Sequence, residues 1–185
     1  APFKESLREC PVSPYSLSKV CTTYISEMFY KSFGIPTVTL RPFLTYGPSQ
    51  DSNMFIPSLI ISCLKNKDFK MTEGRQTREF NYVGDIIEGF VKASITPRAI
   101  GQVINLGCGK EYRILDVAGI IKRLTNAKIK LQVGALPFRE GEALHFYSSA
   151  QKAKSLLDWK ARIGLEEGLI KTINWYKYYY NEQKE

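Results

Sequence analysis

Histidine is almost missing from this chain of 185 residues: His145 stands alone, far from the scattered cysteines Cys10, Cys21, Cys63 and Cys108. A zinc site draws three or four such ligands together at short spacing, and no C-x-x-C or His-rich cluster offers that set, so no metal is expected. The four cysteines read most simply as reduced thiols of a cytoplasmic protein. No apolar run reaches the ~20 residues that cross a bilayer. The stretch 1–10 carries charges and no apolar segment of the secretory kind. There is no internal repeat and no low-complexity tract. Methionine is also absent from position 1. The chain opens as though inside a loop, and the expectation is a piece of a longer or processed protein.

What is present is the balance of a folded domain, with 44% hydrophobic and 24% charged residues. The formal net charge is +8. Such a charge can serve nucleic acid, a membrane surface or a small anion. Here it is spread over helical stretches such as 152–160 and 171–177, with no nucleic-acid-binding signature. A solvated basic surface is the simpler reading, without a nucleic-acid or membrane partner.

Strands and helices alternate along the chain, which predicts α/β architecture. Residues 15–33 contain neither Gly nor Pro, and Gly34 follows, so the pattern predicts a helix with a glycine C-cap. The β-branched run 36–40 predicts a strand. A turn-rich stretch leads to a helix at 55–64 with Pro57 in its first turn. Short strands are expected at 69–72 and 79–83, around a turn at Glu73-Gly74. Asp85 is the expected N-cap of a helix ending at Ser94. A buried strand at 102–106, an amphipathic helix at 114–124 and a strand at 129–133 follow. Two last helices are expected at 149–157, capped by Ser148 or Ser149, and at 165–180.

The chemistry rests on Tyr15 and Lys19. Four residues apart on a helix puts both side chains on one face, one turn apart. A tyrosine hydroxyl titrates near ~10 in isolation, too high for a base at neutral pH, and a neighbouring ammonium favours the phenolate. Such a pair can exchange a proton with a sugar hydroxyl or ketone while hydride moves to or from a nicotinamide. Alone, the spacing is common among surface pairs. Its context is more specific: Ser13-Pro14 precedes it, Arg41-Pro42-Phe43 and Tyr46-Gly47-Pro48 follow, and then Arg78-Glu79-Phe80-Asn81-Tyr82-Val83-Gly84-Asp85.

That ordered set resembles the extended short-chain dehydrogenase/reductase family of NAD-dependent nucleotide-sugar epimerases, 4,6-dehydratases and 4-keto reductases, from about Pro2 to about Tyr176. The resemblance implies the rear part of a Rossmann-like parallel sheet plus a small α/β substrate-binding lobe. Residues 1–44, with returns near 80–106, would belong to the NAD(P) domain, and 45–185 mainly to the substrate lobe. It implies Tyr15 as acid/base, Lys19 on the nicotinamide ribose, and Pro42 in main-chain contact beneath the nicotinamide. Arg78 would neutralise the nucleotide diphosphate. Arg139 and Glu142 would hold phosphate and ribose, and Phe55-Ile56-Pro57 would lie near the base. The family commonly pairs through the Tyr15 helix, so a homodimer is expected. The blander alternatives are an ion pair of Arg78 with Glu79 or Asp85, a solvated loop at Arg139 and Glu142, and Trp159 simply as core.

Two departures bear on function. Leu44 occupies a position where the family usually has Asn. The Gly-rich turn that meets a dinucleotide pyrophosphate and the Ser/Thr that assists the tyrosine have no counterpart, Gly107-Cys108-Gly109 lying too late. The expectation is therefore a fragment, inactive by itself, of an NAD(P)-dependent epimerase or dehydratase acting at C4 of a nucleotide-linked hexose. The rivals are a non-catalytic nucleotide-binding module, a 4-keto-sugar reductase and a non-sugar alcohol dehydrogenase. Two arginines converging on a diphosphate argue against the last.

Overall fold

The computed structural model describes residues 1–138 and 141–182. The first helix, α1 (Pro14–Phe33), starts where local chemistry says it should. Ser13 caps it by accepting from the Ser16 amide at 3.1 Å, and Ser16 Oγ accepts from the Ser13 amide at 2.9 Å. Pro14 adds a pre-set first turn. Gly34 ends the helix at φ 66°, its N–H donating to the Tyr30 carbonyl. That left-handed cap is the conformation glycine adopts at no steric cost.

Strand β1 (Thr39–Pro42) lies three residues later than the β-branched run suggests. Pro36 and Thr37 are still turning, with Thr37 Oγ1 donating to the Ser26 carbonyl of α1 at 3.0 Å. β1 pairs in parallel with β6 (Val103–Leu106), Thr39 opposite Val103 and Pro42 opposite Leu106. This is the returning strand expected from the sequence, and it gives the molecule its Rossmann-like parallel element. Loop 1–12 crosses it: Glu5 accepts from the Asn105 amide at 2.9 Å.

The rest of the chain builds a platform. Strand β2 (Thr45–Tyr46) pairs in parallel with β5 (Asn81–Tyr82). Helix α2 (Phe55–Leu64) packs on α4 (Ile114–Thr125) and α6 (Leu165–Glu182). β3 (Phe69–Met71) pairs in parallel with β8 (Leu131–Val133). β4 (Thr77–Glu79) lies between antiparallel β7 (Glu111–Arg113) and parallel β9 (His145–Phe146). β3 and β4 thus flank the Glu73-Gly74 turn without pairing with each other, because β3 finds β8 and β4 finds β7 and β9.

Helix α3 (Val83–Ser94) begins two residues before Asp85, with Tyr82 at the N-cap position. Asp85 is instead buried in the first turn, where Oδ2 accepts from the amides of Arg162 and Ile163 at 3.1 and 2.9 Å. Helix α5 (Gln151–Leu157) starts after Ala150, not at Ser148 or Ser149. Ser148 is drawn into a buried hydrogen bond elsewhere. Two apolar clusters result. One gathers α2, α4 and α6 around Leu59, Ile60, Ile121 and Leu169. The other gathers Ile86, Ile104, Leu106, Leu157 and Trp159 around β6. Trp159 is core, as read, and its indole N–H donates to the Asp85 carbonyl at 2.9 Å. Among the described residues no helix is long and apolar enough to cross a membrane.

Gly107 closes β6 where a side chain has no room: a Cβ there would lie 2.0 Å from Glu79 Oε1 and 2.2 Å from Ser148 Oγ. Gly119, inside α4, has nothing within 4 Å of that position. Gly107→Ala should therefore cost about 1–3 kcal/mol by overpacking. Gly119→Ala should add about 0.5–1 kcal/mol by helix propensity. Urea unfolding of the two variants checks both signs, and a neutral Gly107→Ala would contradict the close approach.

Candidate active site

The capped first turn of α1 sets the reactive pair. Tyr15 and Lys19 project from consecutive turns, with Lys19 Nζ 5.3 Å from the centroid of the Tyr15 ring. Both are exposed, Tyr15 at 71%. Ser18 Oγ donates to the Tyr15 carbonyl at 2.8 Å, which ties the pair's backbone rather than its hydroxyl. Nearby, Arg41 Nη2 donates to Glu9 Oε1 at 2.6 Å, and the Tyr24 hydroxyl reaches Glu9 Oε2 at 3.3 Å. The Arg41 guanidinium, foremost, holds the Glu9 carboxyl below its usual range. Glu9 thus pins the loop that leads into α1 to both α1 and β1. Pro42 ends β1, exposed, and Phe43 continues the ladder by donating its amide to the Leu106 carbonyl at 2.9 Å.

Two residues past Pro42, Leu44 and Thr45 form the near edge of a cleft of about 530 Å³. Phe55 and Ile56 line one wall, and Arg78 and Glu142 line another. Pro57 is buried in α2, outside the lining. Arg139 lies outside the described residues. Tyr15, Lys19 and Pro42 stand outside the cleft wall, so the sequence-predicted residues fall into two groups joined through residues 42–45.

Arg78 makes neither of the ion pairs considered from the sequence. Its Nη2 donates to Glu142 Oε1 at 2.5 Å, and its Nη1 donates to the carbonyls of Thr77 and Ala143 at 2.6 and 2.8 Å. A guanidinium has five N–H donors. Among the described residues, Nε–H and one Nη2–H of Arg78 remain for a ligand. The Arg78–Glu142 pairing was not legible in sequence, because 64 residues separate the partners. Gln76 and Gln50 also line the cleft. Sequence reading missed both; Gln76 lies at the bend just before β4 and lines the cleft together with Arg78.

Strand alternation sends Thr77 and Glu79 the other way. Thr77 Oγ1 meets Glu111 and His145. The Glu111 carboxyl is held below its usual range, first by Thr77 and then by His145. Glu79 is completely buried. Its Oε2 accepts from the amides of Gly109 and Ser148 at 2.9 and 3.2 Å and from Ser148 Oγ at 3.1 Å. Asn81 Nδ2 donates to Oε1 at 3.4 Å, while Asn81 Oδ1 accepts from the Cys108 amide at 2.8 Å. Burial raises the Glu79 pKa despite these donors.

A parallel β pair, a Tyr-x-x-x-Lys helix and a cleft lined by Arg78 place the chain among the Rossmann-like α/β folds. Among these, the chain belongs to the family described as GDP-mannose 4,6 dehydratase, whose model matches residues 1–172, and so to the extended short-chain dehydrogenases/reductases. The chain is 34% identical to the UDP-glucuronate 4-epimerase of Thermodesulfobacterium geofontis, over 95% of this chain and 54% of the relative. The UDP-glucuronic acid 4-epimerase of Bacillus cereus, solved with UDP-glucuronic acid and NAD, superimposes with TM-score 0.90 at 31% identity, covering 97% of this chain and 57% of that one. An NAD complex of dTDP-glucose 4,6-dehydratase from Bacillus anthracis gives TM-score 0.88 at 26% identity, covering 99% and 57%. The chain spans about half the length of the curated relatives it matches.

The buried carboxylate makes stability depend on pH. With its folded pKa raised above the ordinary 4.5, Glu79 keeps its proton in the folded chain after the unfolded chain has released it. Stability therefore falls as pH rises from 4.5 through that window. Glu79→Gln removes the titration, while its amide N–H₂ faces the Asn81 donor and carries a pH-independent cost. Urea midpoints of wild type and variant should converge as pH rises from 4.5; a gap that widens would reverse the assigned sign.

Proposed function

We propose that the protein acts as an NAD(P)-dependent epimerase or dehydratase at C4 of a nucleoside-diphosphate hexose. The observation that carries this is the Lys19 ammonium set 5.3 Å from the Tyr15 ring on a capped, exposed helix turn, in a chain that also holds a cleft lined by Arg78. Tyr15 exchanges the sugar O4 proton, and Lys19 stabilises the phenolate and holds the nicotinamide ribose. Arg78 takes the diphosphate with its two remaining donors. Glu142, a carboxylate that would repel phosphate, suits the ribose hydroxyls and keeps Arg78 oriented. Arg139 shares the phosphate. The apolar Phe55–Pro57 segment backs the base.

The chain's residues fit one end of NAD. Tyr15, Lys19 and Pro42, all exposed, suit the nicotinamide end, and the sequence has no G-x-G-x-x-G turn for the pyrophosphate. When bound, NAD supplies the hydride acceptor and donor. In this reading residues 1–44 and the returns near 80–106 belong to the NAD(P) domain. The separate apolar cluster around β6 supports that division. Residues 45–185 make mainly the substrate lobe. The whole enzyme pairs as a homodimer through α1, whose Ile25, Met28 and Phe29 are exposed, and it works in the cytoplasm.

In the full-length enzyme, Tyr15→Phe should lower turnover about 10²–10⁴-fold. Turnover within a few-fold of wild type would remove Tyr15 from the chemistry. Arg78→Ala should weaken UDP-hexose binding by roughly 1.5–3 kcal/mol, the worth of a hydrogen bond to a charged group; calorimetry showing equal affinity would refute the diphosphate role. The 185-residue chain alone should bind NAD at millimolar concentration or not at all, because the glycine-turn contacts are missing. Micromolar binding would contradict the division of labour.

A further inference from the structure

A second hollow, of about 460 Å³, lies between the 1–12 loop and α5. It shares no lining residue with the cleft. Lys4, Glu5 and Ser6 come from the loop; Ser149, Lys152 and Ser155 come from the segment that runs into α5. Every residue that lines it is polar or charged. Such a wall offers nothing to an apolar ligand and several groups to a charged one.

The two sides are fastened at their base. The Phe3 amide donates to the Tyr147 carbonyl at 2.8 Å, and the Ser149 amide donates to the Phe3 carbonyl at 2.9 Å. Glu5 is the one negative side chain on the wall. It is tied to β6, where its Oε1 accepts from the Asn105 amide at 2.9 Å. The donors are what is left over. Ser149 is 9% exposed, and its hydroxyl has no hydrogen-bond partner among the described residues. Lys152 is half-buried and Lys4 exposed, and among the described residues neither ammonium has an ion-pair partner. A nearly buried hydroxyl normally finds a partner. A half-buried cation without a counter-charge is unfavourable. Both deficits are removed by one anion.

The donors stand on both sides of the hollow, Lys4 on one and Lys152 with Ser149 on the other. A carboxylate presents two oxygens in one plane. A phosphate presents oxygens in several directions and carries more charge, and lysine binds it as a point charge. We propose that this hollow is a second binding site, for a phosphate group that is either free or carried by a small hydroxyl-bearing molecule. Lys4 and Lys152 supply the counter-charge and Ser149 donates its hydroxyl, while Glu5 Oε2 is left to accept from a hydroxyl of the carrier. Occupied, the site joins the loop that leads into α1 to the α5 segment.

The test is calorimetric titration of the full-length enzyme at low salt with inorganic phosphate, glycerol 3-phosphate and acetate. Phosphate should bind and acetate should not compete with it. Lys152→Gln should weaken phosphate binding about tenfold, the worth of one charge-assisted hydrogen bond. Lys4→Gln and Ser149→Ala should weaken it less. Arg78→Ala, which removes the cation of the cleft, should leave it unchanged. Tighter binding of glycerol 3-phosphate assigns the site to a carried phosphate, and equal binding assigns it to the free ion. The melting temperature of the Lys4→Gln/Lys152→Gln double variant should match wild type without phosphate and lose the rise that phosphate gives wild type. Absence of phosphate binding to wild type at millimolar concentration overturns the proposal. So does binding that the double variant keeps, or binding that Arg78→Ala abolishes.

Discussion

The buried carboxylate of Glu79 is the constraint on which the cleft depends. Removing an ionised group from water is costly, and the cost is offset only where donors converge. Here they come from three places in the chain: Asn81, the 108–109 turn and Ser148. Each must be in register for the carboxylate to be satisfied. Once Glu79 points inward, the two-residue period of β4 leaves Arg78 on the opposite face. The orientation of Arg78 in the cleft is thus a consequence of a buried hydrogen-bond network on the other face of β4. The raised Glu79 pKa says the offset is incomplete, which is tolerable where geometry matters more than stability.

Other buried polar contacts fasten the remaining walls. The Tyr46 hydroxyl donates to the Leu165 carbonyl at 3.1 Å, and burial pushes its pKa well above the ordinary value. The approach requires Gly168, where a Cβ would lie 2.2 Å from that hydroxyl. The Tyr176 hydroxyl donates to the Gln50 carbonyl at 2.6 Å, so α6 also holds the loop that carries Gln50. Asp85 accepts from the two amides that lead into α6. The terminal helix is therefore held at both ends to segments that shape the cleft, and apolar packing in the cluster around Leu59 and Leu169 supplies the bulk of its burial.

What the sequence made legible was local. The glycine stop at Gly34, the limits of α2 and the one-turn spacing of Tyr15 and Lys19 depend on neighbours within a few residues. Asp85 and Ser148 were misread for the opposite reason. Each is a good N-cap by type, and each instead serves a partner far along the chain, Asp85 at Arg162 and Ser148 at Glu79. The Arg78–Glu142 pair has the same character. Local propensity cannot reveal a bond whose partner is brought in by tertiary packing. The unpaired oxygen of Gln76 is visible only in three dimensions.

The two halves of the site differ in how firmly they are held. The cleft wall is built on buried networks and two apolar clusters. The reactive pair sits on α1, which buries only Thr23 among its 20 residues and leaves Ile25, Met28, Phe29 and Phe33 exposed. Its caps, the Thr37 bond and the seat of the Tyr30 ring against Gly101 anchor it. The apolar surface that remains is of a kind that marks a contact. Electrostatics points the same way. A unit charge pair at 4 Å is worth about 1 kcal/mol in water and about 4 kcal/mol at an effective dielectric of 20. An ammonium can support a neighbouring phenolate strongly only after water is displaced from both. Tyr15 and Lys19, as open as they are here, have the geometry of an acid–base pair but not the dry surroundings that would make it effective. In the proposed enzyme the cover over α1 and the nicotinamide ledge would be as much part of the catalyst as the pair itself.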